Sequence, residues 1–157
     1  MTPLTDRTLE GLRRAMEANP GDVELRQQLG LALIEAGFAD EGASQLRLAA
    51  QLDGANAPLA LTACAALVEV GRERDAALLL SSQIQPQRRW TRAEPQLVQV
   101  VTLLLGHPEP FVRCHAVRGV GRLRLHQGVE LLVRCCADPD GAVRLAAQMV
   151  RQRLLAH

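Results

Sequence analysis

The chain has 157 residues, of which 48% are hydrophobic and 22% charged, and its net charge is +1. That length suits one compact domain or two small units sharing a core, and the apolar content excludes general disorder. The apolar set is Leu, Ala and Val, with two Phe, one Trp and no Tyr, which favours helix and argues against sheet.

The opening stretch, MTPLTDRTLEGLRRAMEANP, reads as a helix closed by Asn19-Pro20. It lacks an unbroken apolar region ahead of a small-residue cleavage site, so it does not read as a secretory signal. No apolar run approaches the roughly 20 residues that span a bilayer. Four Cys do not make a disulfide framework in a chain of this size, and the expected compartment is the reducing cytoplasm.

From Leu29 the chain reads LGLALIEAGFADEGASQLRLA, and from Ala63 it reads ACAALVEVGRERDAALLLSSQ. A shift of 34 aligns Leu33 with Leu67, Glu35 with Glu69, Gly37 with Gly71 and Leu46 with Leu80. Leu25, Leu29 and Leu33 share one helix face. Gly37 stands at a left-handed cap, and Asp40 and Glu41 open the next helix at its positive end. With Leu29-Gly30, Leu33, Gly37, Ala49 and Asp53 in place, residues 5 to 86 resemble the tetratricopeptide repeat family. Gly42, Gly54 and Cys64 depart from its pattern. The resemblance implies that LEGLRRAMEANP is the second helix of an upstream repeat and caps the stack.

The stretch QPQRRWTRAEP follows, with two Pro, three Arg and the only Trp, and it breaks the period. Trp90 is expected either to fill the joint between two stacks or to stand exposed as a partner-binding residue.

Beyond it the period changes. HPEPFVRCHAV, from His107, returns 31 residues later as DPDGAVRLAAQ, from Asp138. Val98 meets Val129, Val101 meets Leu132 and Leu123 meets Leu154. Each unit, about 95 to 125 and 126 to 156, reads as a helix, a Pro-containing turn and a second helix. Asp138 can cap the turn and Pro139 stops the preceding helix. Val112 and Val143 are expected in the core, with Arg113 and Arg144 at its edge, in reach of a neighbouring turn's carboxylate. This half resembles HEAT-like repeats, specifically the short type named after phycobilisome lyase subunits. The resemblance implies that the phrase is structural, with Pro turning the chain, Val packing and Arg pairing with acidic turn residues. His107 replaces the usual Asp, which places a titratable group at a capping position.

These readings give an all-α fold, a right-handed α-solenoid of antiparallel helix pairs with about nine helices. Residues 1–86 form the tetratricopeptide-like part, 87–94 the junction and 95–157 the HEAT-like part.

Catalytic or metal chemistry would need convergent polar groups. His107, Cys114, His115, His126, Cys135 and Cys136 fall close together, but with no CxxC or HxxxH spacing. Cys135 and Cys136 align with Leu104 and Leu105, so they read as small buried hydrophobes. Cys114 and His115 are adjacent on a helix and do not face each other. RGVGR at 118–122 lacks the context of a phosphate loop, and its glycines read as helix-packing or helix-ending positions. The expectation is no enzyme, no metal and no cofactor.

Charge is more informative. All 18 basic residues are Arg, which reflects coding bias or a use of guanidinium contacts. Residues 1–85 hold 7 Arg and 12 acids, whereas residues 86–157 hold 11 Arg and 5 acids. Arg88, Arg89, Arg92, Arg118 and Arg122 form the expected basic patch, suited to an acidic protein, peptide or phosphate backbone. The scarcity of aromatics, Lys and basic tails argues against nucleic acid. The tetratricopeptide resemblance implies a groove lined by Glu24, Gln27, Leu31, Ile34, Glu35, Leu61, Ala65, Val68 and Glu69. That groove is apolar and mildly acidic, suited to a hydrophobic or basic peptide or helix, or to a second copy. The function expected is a non-enzymatic protein-interaction adaptor without membrane insertion. The alternatives are a small cytoplasmic chaperone, a phycobilin-lyase-like accessory subunit and an Arg-mediated nucleic-acid binder.

Overall fold

The computed structural model describes residues 3–85 and 94–156, without the side chains of residues 3–5, 94 and 126. The described residues form nine α-helices and no strand. Helices α1 (Pro3–Ala18), α2 (Val23–Glu35), α3 (Ala39–Leu52), α4 (Ala57–Glu69) and α5 (Glu73–Leu78) build the first half. Helix α5 continues as a π-helical turn over Leu79–Gln83. Helices α6 (Glu94–Leu105), α7 (Pro110–Arg122), α8 (Val129–Cys135) and α9 (Gly141–Leu155) build the second, with a 3-10 turn at His126–Gly128.

The 34-residue register has a clear local cause. Asp22 caps α2 by accepting from Leu25 N at 3.0 Å, and Asn56, its counterpart, caps α4 by accepting from Leu59 N at 3.1 Å. Both helices end on a glycine with positive φ, Gly37 at 91° and Gly71 at 75°. The next amides, Phe38 N and Arg72 N, donate back to Leu33 O and Leu67 O, each at 2.8 Å, which closes the helix ends.

Helices α1 to α5 pack each on the next, as do α6 to α9, and alternate helices stack, α4 on α6, α5 on α7 and α7 on α9. The result is an α-solenoid of two layers, with α2, α4, α6 and α8 on one side and α3, α5, α7 and α9 on the other. One continuous apolar core runs from Ala43 to Leu154 and takes Leu80, Leu97, Val112 and Val143 into a single cluster. A second, smaller cluster of Leu9, Met16, Leu29 and Leu33 joins α1 to α2. Helices α2 and α3 cross at Gly30 and Gly42, where a Cβ on Gly42 would lie 2.6 Å from Gly30 O.

The two Pro turns are held by their Arg residues. Arg113 donates from Nη1 to His107 O and Pro108 O, each at 2.8 Å. It also grips Asp138 of the next turn, Nε to Oδ2 at 2.8 Å and Nη2 to Oδ1 at 2.9 Å, with side chains 12% and 8% exposed. The guanidinium holds the Asp138 carboxyl below the usual aspartate range, although burial opposes it. Arg144 repeats only the first half of this arrangement. Its Nη1 donates to Asp138 O and Pro139 O, and it makes no ion pair among the described residues. Asp138 Oδ1 accepts from Asp140 N at 2.9 Å, while the helix cap of α9 is Asp140 itself, accepting from Ala142 N and Val143 N. In the first turn His107 Nδ1 accepts from Glu109 N at 3.1 Å. The imidazole thus stands in for the carboxylate that Asp138 supplies.

Candidate protein-binding faces

The expected groove lies on the α2–α4 face. Glu24, Leu31, Glu35 and Glu69 are exposed there, and Gln27, Ile34, Leu61, Ala65 and Val68 are half-buried. Ile34, Leu61, Ala65 and Glu69 come together around a shallow cavity of about 340 Å³, floored by Leu46 and closed by Gln96 of α6. Leu31 stands 41% exposed outside that cavity. Glu24, Gln27, Glu35 and Val68 do not line it. Gln96 carries no mark in the sequence, since it belongs to the half with the other period and reaches the site only through the stacking of α4 on α6.

The opposite layer holds a larger opening. A cavity of about 510 Å³ lies between α7 and α9, with Ser81 of the π-turn at one end. Its apolar wall includes Leu145 and Met149, 58% and 53% exposed, and its basic groups are Arg118, Arg122 and Arg153. The RGVGR glycines make this geometry. A Cβ on Gly119 would meet Leu80 Cβ at 3.0 Å, and one on Gly121 would meet Val150 at 2.9 Å. One glycine therefore seats α7 on the π-turn and the other seats it on α9. Arg122 is half-buried, and its Nη1 is buried without a hydrogen-bond partner. Arg118 and Arg122 share this face, whereas Arg88, Arg89, Arg92 and Trp90 lie outside the described residues.

Beside the cavity, His115 Nδ1 lies 2.9 Å from Ser81 Oγ. The ring packs 4.4 Å from Phe111, over which Arg74 sits at 4.2 Å while it pairs with Glu109 at 2.9 Å. Burial first, and then the charge of Arg118, pull His115 below the ordinary histidine range. Burial pushes the Cys64 thiol up to about 12 and also raises Cys135, so both remain protonated near neutral pH. Among the described residues no group of three or more His, Cys, Asp or Glu is placed to hold a metal ion. No described helix is long and apolar enough to cross a membrane.

Residues 87–151 match the family model for HEAT repeats. This half of the chain is HEAT-like. The match spans α6 to α8 and most of α9, and therefore both Pro turns and most of the α7–α9 face. No curated protein and no solved structure matches the chain.

Proposed function

We propose that the chain is a non-enzymatic protein-interaction adaptor that holds a peptide, helix or protein surface on its α2–α4 face. The observation that carries this reading is the cavity of about 340 Å³ where Ile34, Leu61, Ala65 and Glu69 converge. Its wall combines the apolar Ile34, Leu61 and Ala65 with Thr62, Gln96 and one carboxylate, which suits an amphipathic segment carrying a basic residue. Stacked helix pairs offer extended surfaces of this kind with little chemistry of their own. In this reading residues 1–86 are tetratricopeptide-like, 87–94 are the junction and 95–157 are HEAT-like. The support for the first assignment is the paired caps Asp22 and Asn56 and the paired left-handed glycines Gly37 and Gly71.

The test is reconstitution. A photo-crosslinker at Leu31 should trap a protein partner, and that partner, once purified, should form a stoichiometric complex with the chain on a sizing column. Leu31→Arg and Ala65→Arg should abolish the complex while leaving the far-ultraviolet circular dichroism unchanged. A complex that survives both substitutions would remove this face from the function.

A further inference from the structure

We infer that the groove between α7 and α9 is a second docking surface, separate from the α2–α4 face, and that its occupant is an acidic amphipathic helix of a partner protein. Charge gives the first argument. Arg118, Arg122 and Arg153 line the cavity, no carboxylate does, and none of the three makes an ion pair among the described residues. Several cations elsewhere in the fold are employed, although Arg47, Arg134 and Arg151, like the groove's three, make no ion pair among the described residues. Arg113 grips Asp138, Arg144 holds its own turn, Arg74 pairs with Glu109 and Arg72 with Asp40 and Asp75. The cationic groove is thus a site where guanidinium groups are gathered without acceptors. Arg122 adds to the case, because its Nη1 is buried without a partner, as the Nε atoms of Arg26 and Arg47 are elsewhere, and it alone of the three borders this cavity. A buried donor left unmade is costly, and a planar guanidinium is suited to a carboxylate that arrives with a ligand.

The apolar wall gives the second argument. Leu145 and Met149 are one helical turn apart on α9 and more than half exposed, against Ala142 and Ala146, which keep the groove open. Exposed large apolar side chains in a concave surface mark a place for apolar anchors, and Met adapts its shape to them. Shape gives the third. From Ala142 to Arg153 the α9 wall runs for about 17 Å, the length of roughly three helical turns. An extended segment would need partners for its main-chain groups. The wall carries no amide side chain and no strand edge to supply them. A helix satisfies its own backbone and presents carboxylates and apolar groups on one face.

The probe is a synthetic, lactam-stapled helical peptide of about 16 residues, with Leu at one-turn spacing and Glu flanking that stripe. Its binding is followed by fluorescence anisotropy on the full chain. A second peptide replaces every Glu of the flanks by Gln. The acidic peptide should bind saturably and weaken by about tenfold or more with the Gln peptide, with Arg118→Ala/Arg153→Ala and with Met149→Glu. All the substituted residues are exposed, and circular dichroism checks that each variant keeps its helicity. Leu31→Arg, on the opposite layer, should leave binding unchanged. Absence of saturable binding, or equal binding of the Glu and Gln peptides, would overturn the inference. So would a chain dimer, seen by sedimentation without peptide and lost in Arg118→Ala/Arg153→Ala, because it would give the groove to a second copy. Any of these failures leaves the α2–α4 reading standing, and loss of that reading leaves this one standing.

Discussion

The Asp138 carboxylate accepts from two directions, the forked guanidinium of Arg113 across the turns and the amide of Asp140 within its own, and its main-chain oxygen takes Arg144. Removing the carboxylate would leave the Arg113 guanidinium, itself 12% exposed, without its counter-ion. Asp138→Ala should therefore destabilise the chain by about 3 kcal/mol, and Asp138→Asn, which keeps an acceptor for Asp140 N, by roughly 1 to 2 kcal/mol. Urea unfolding at neutral pH measures both. The pH dependence follows from the depressed carboxyl. Its contribution is complete above the ordinary aspartate value of about 3.9 and is lost as pH falls through the lower folded value. Acid unfolding of the native chain should steepen in that range, and Asp138→Asn should not show the extra slope. His107 does the same turn's work with different chemistry. Its Nδ1 accepts from Glu109 N, which a ring protonated on both nitrogens cannot do. The Glu109 amide should exchange faster in His107→Ala, which removes the acceptor, and His107→Asp, which restores one, should keep it protected. Equal protection in His107→Ala and the native chain would detach the turn from the ring.

At the scale of elements, the glycines separate what the sequence shows from what only packing decides. Gly37 and Gly71 were legible because a left-handed helix end needs glycine locally, whatever lies around it, and the 34-residue echo marks both. The echo of Pro, Val and Arg in the second half was legible for the same kind of reason, since Val112 and Val143 are fully buried and Arg113 and Arg144 both hold turn carbonyls. Gly42 and Gly54 were legible only as departures from a pattern. Their cause lies in other segments of the chain, Gly42 against Gly30 O, and Gly54 against the backbone at Gln83 and Gln85. The π-turn at Leu79–Gln83 had no sequence mark at all. It places Ser81 against His115 and seats Gly119 on Leu80, a fit between two elements with different periods. The contrast between glycines can be measured. Gly42→Ala forces a methyl to within 2.6 Å of a carbonyl oxygen, so overpacking should outweigh the better helix propensity. The net loss should be about 1 to 2 kcal/mol. Gly11, in the middle of α1, has nothing within 4 Å of the place a methyl group would take. There the same substitution should stabilise α1 by about 0.5 to 1 kcal/mol. Opposite signs in the two variants, read from thermal unfolding and from amide exchange in α1, would bear this out.

For the molecule as a whole, the change of repeat at the junction does not divide the core. The main apolar cluster joins Leu46 and Leu67 of the first half to Leu97, Val120 and Val150 of the second without a break. Helix α5 and its π-turn pack directly on α7, and Gly119 removes the side chain that would hold them apart. Solenoid stability is the sum of each repeat and its nearest interfaces, so an interface this close should couple the halves. Helix α1 stands differently. It meets α2 through the small cluster of Leu9, Met16, Leu29 and Leu33, and reaches α3 through the exposed pair Arg13–Glu41, which contributes little in water. Native-state hydrogen exchange under rising denaturant separates these cases. Amides around Leu46 and Leu67 should lose protection together with those around Val120 and Val150, in one cooperative step, and amides of α1 should open earlier. If the second half lost protection well before the first, the α5–α7 interface would not be the coupling element. Gly119→Val, which places bulk against Leu80, should then leave the exchange pattern unaltered. If the halves open together, the same substitution should split the single step in two.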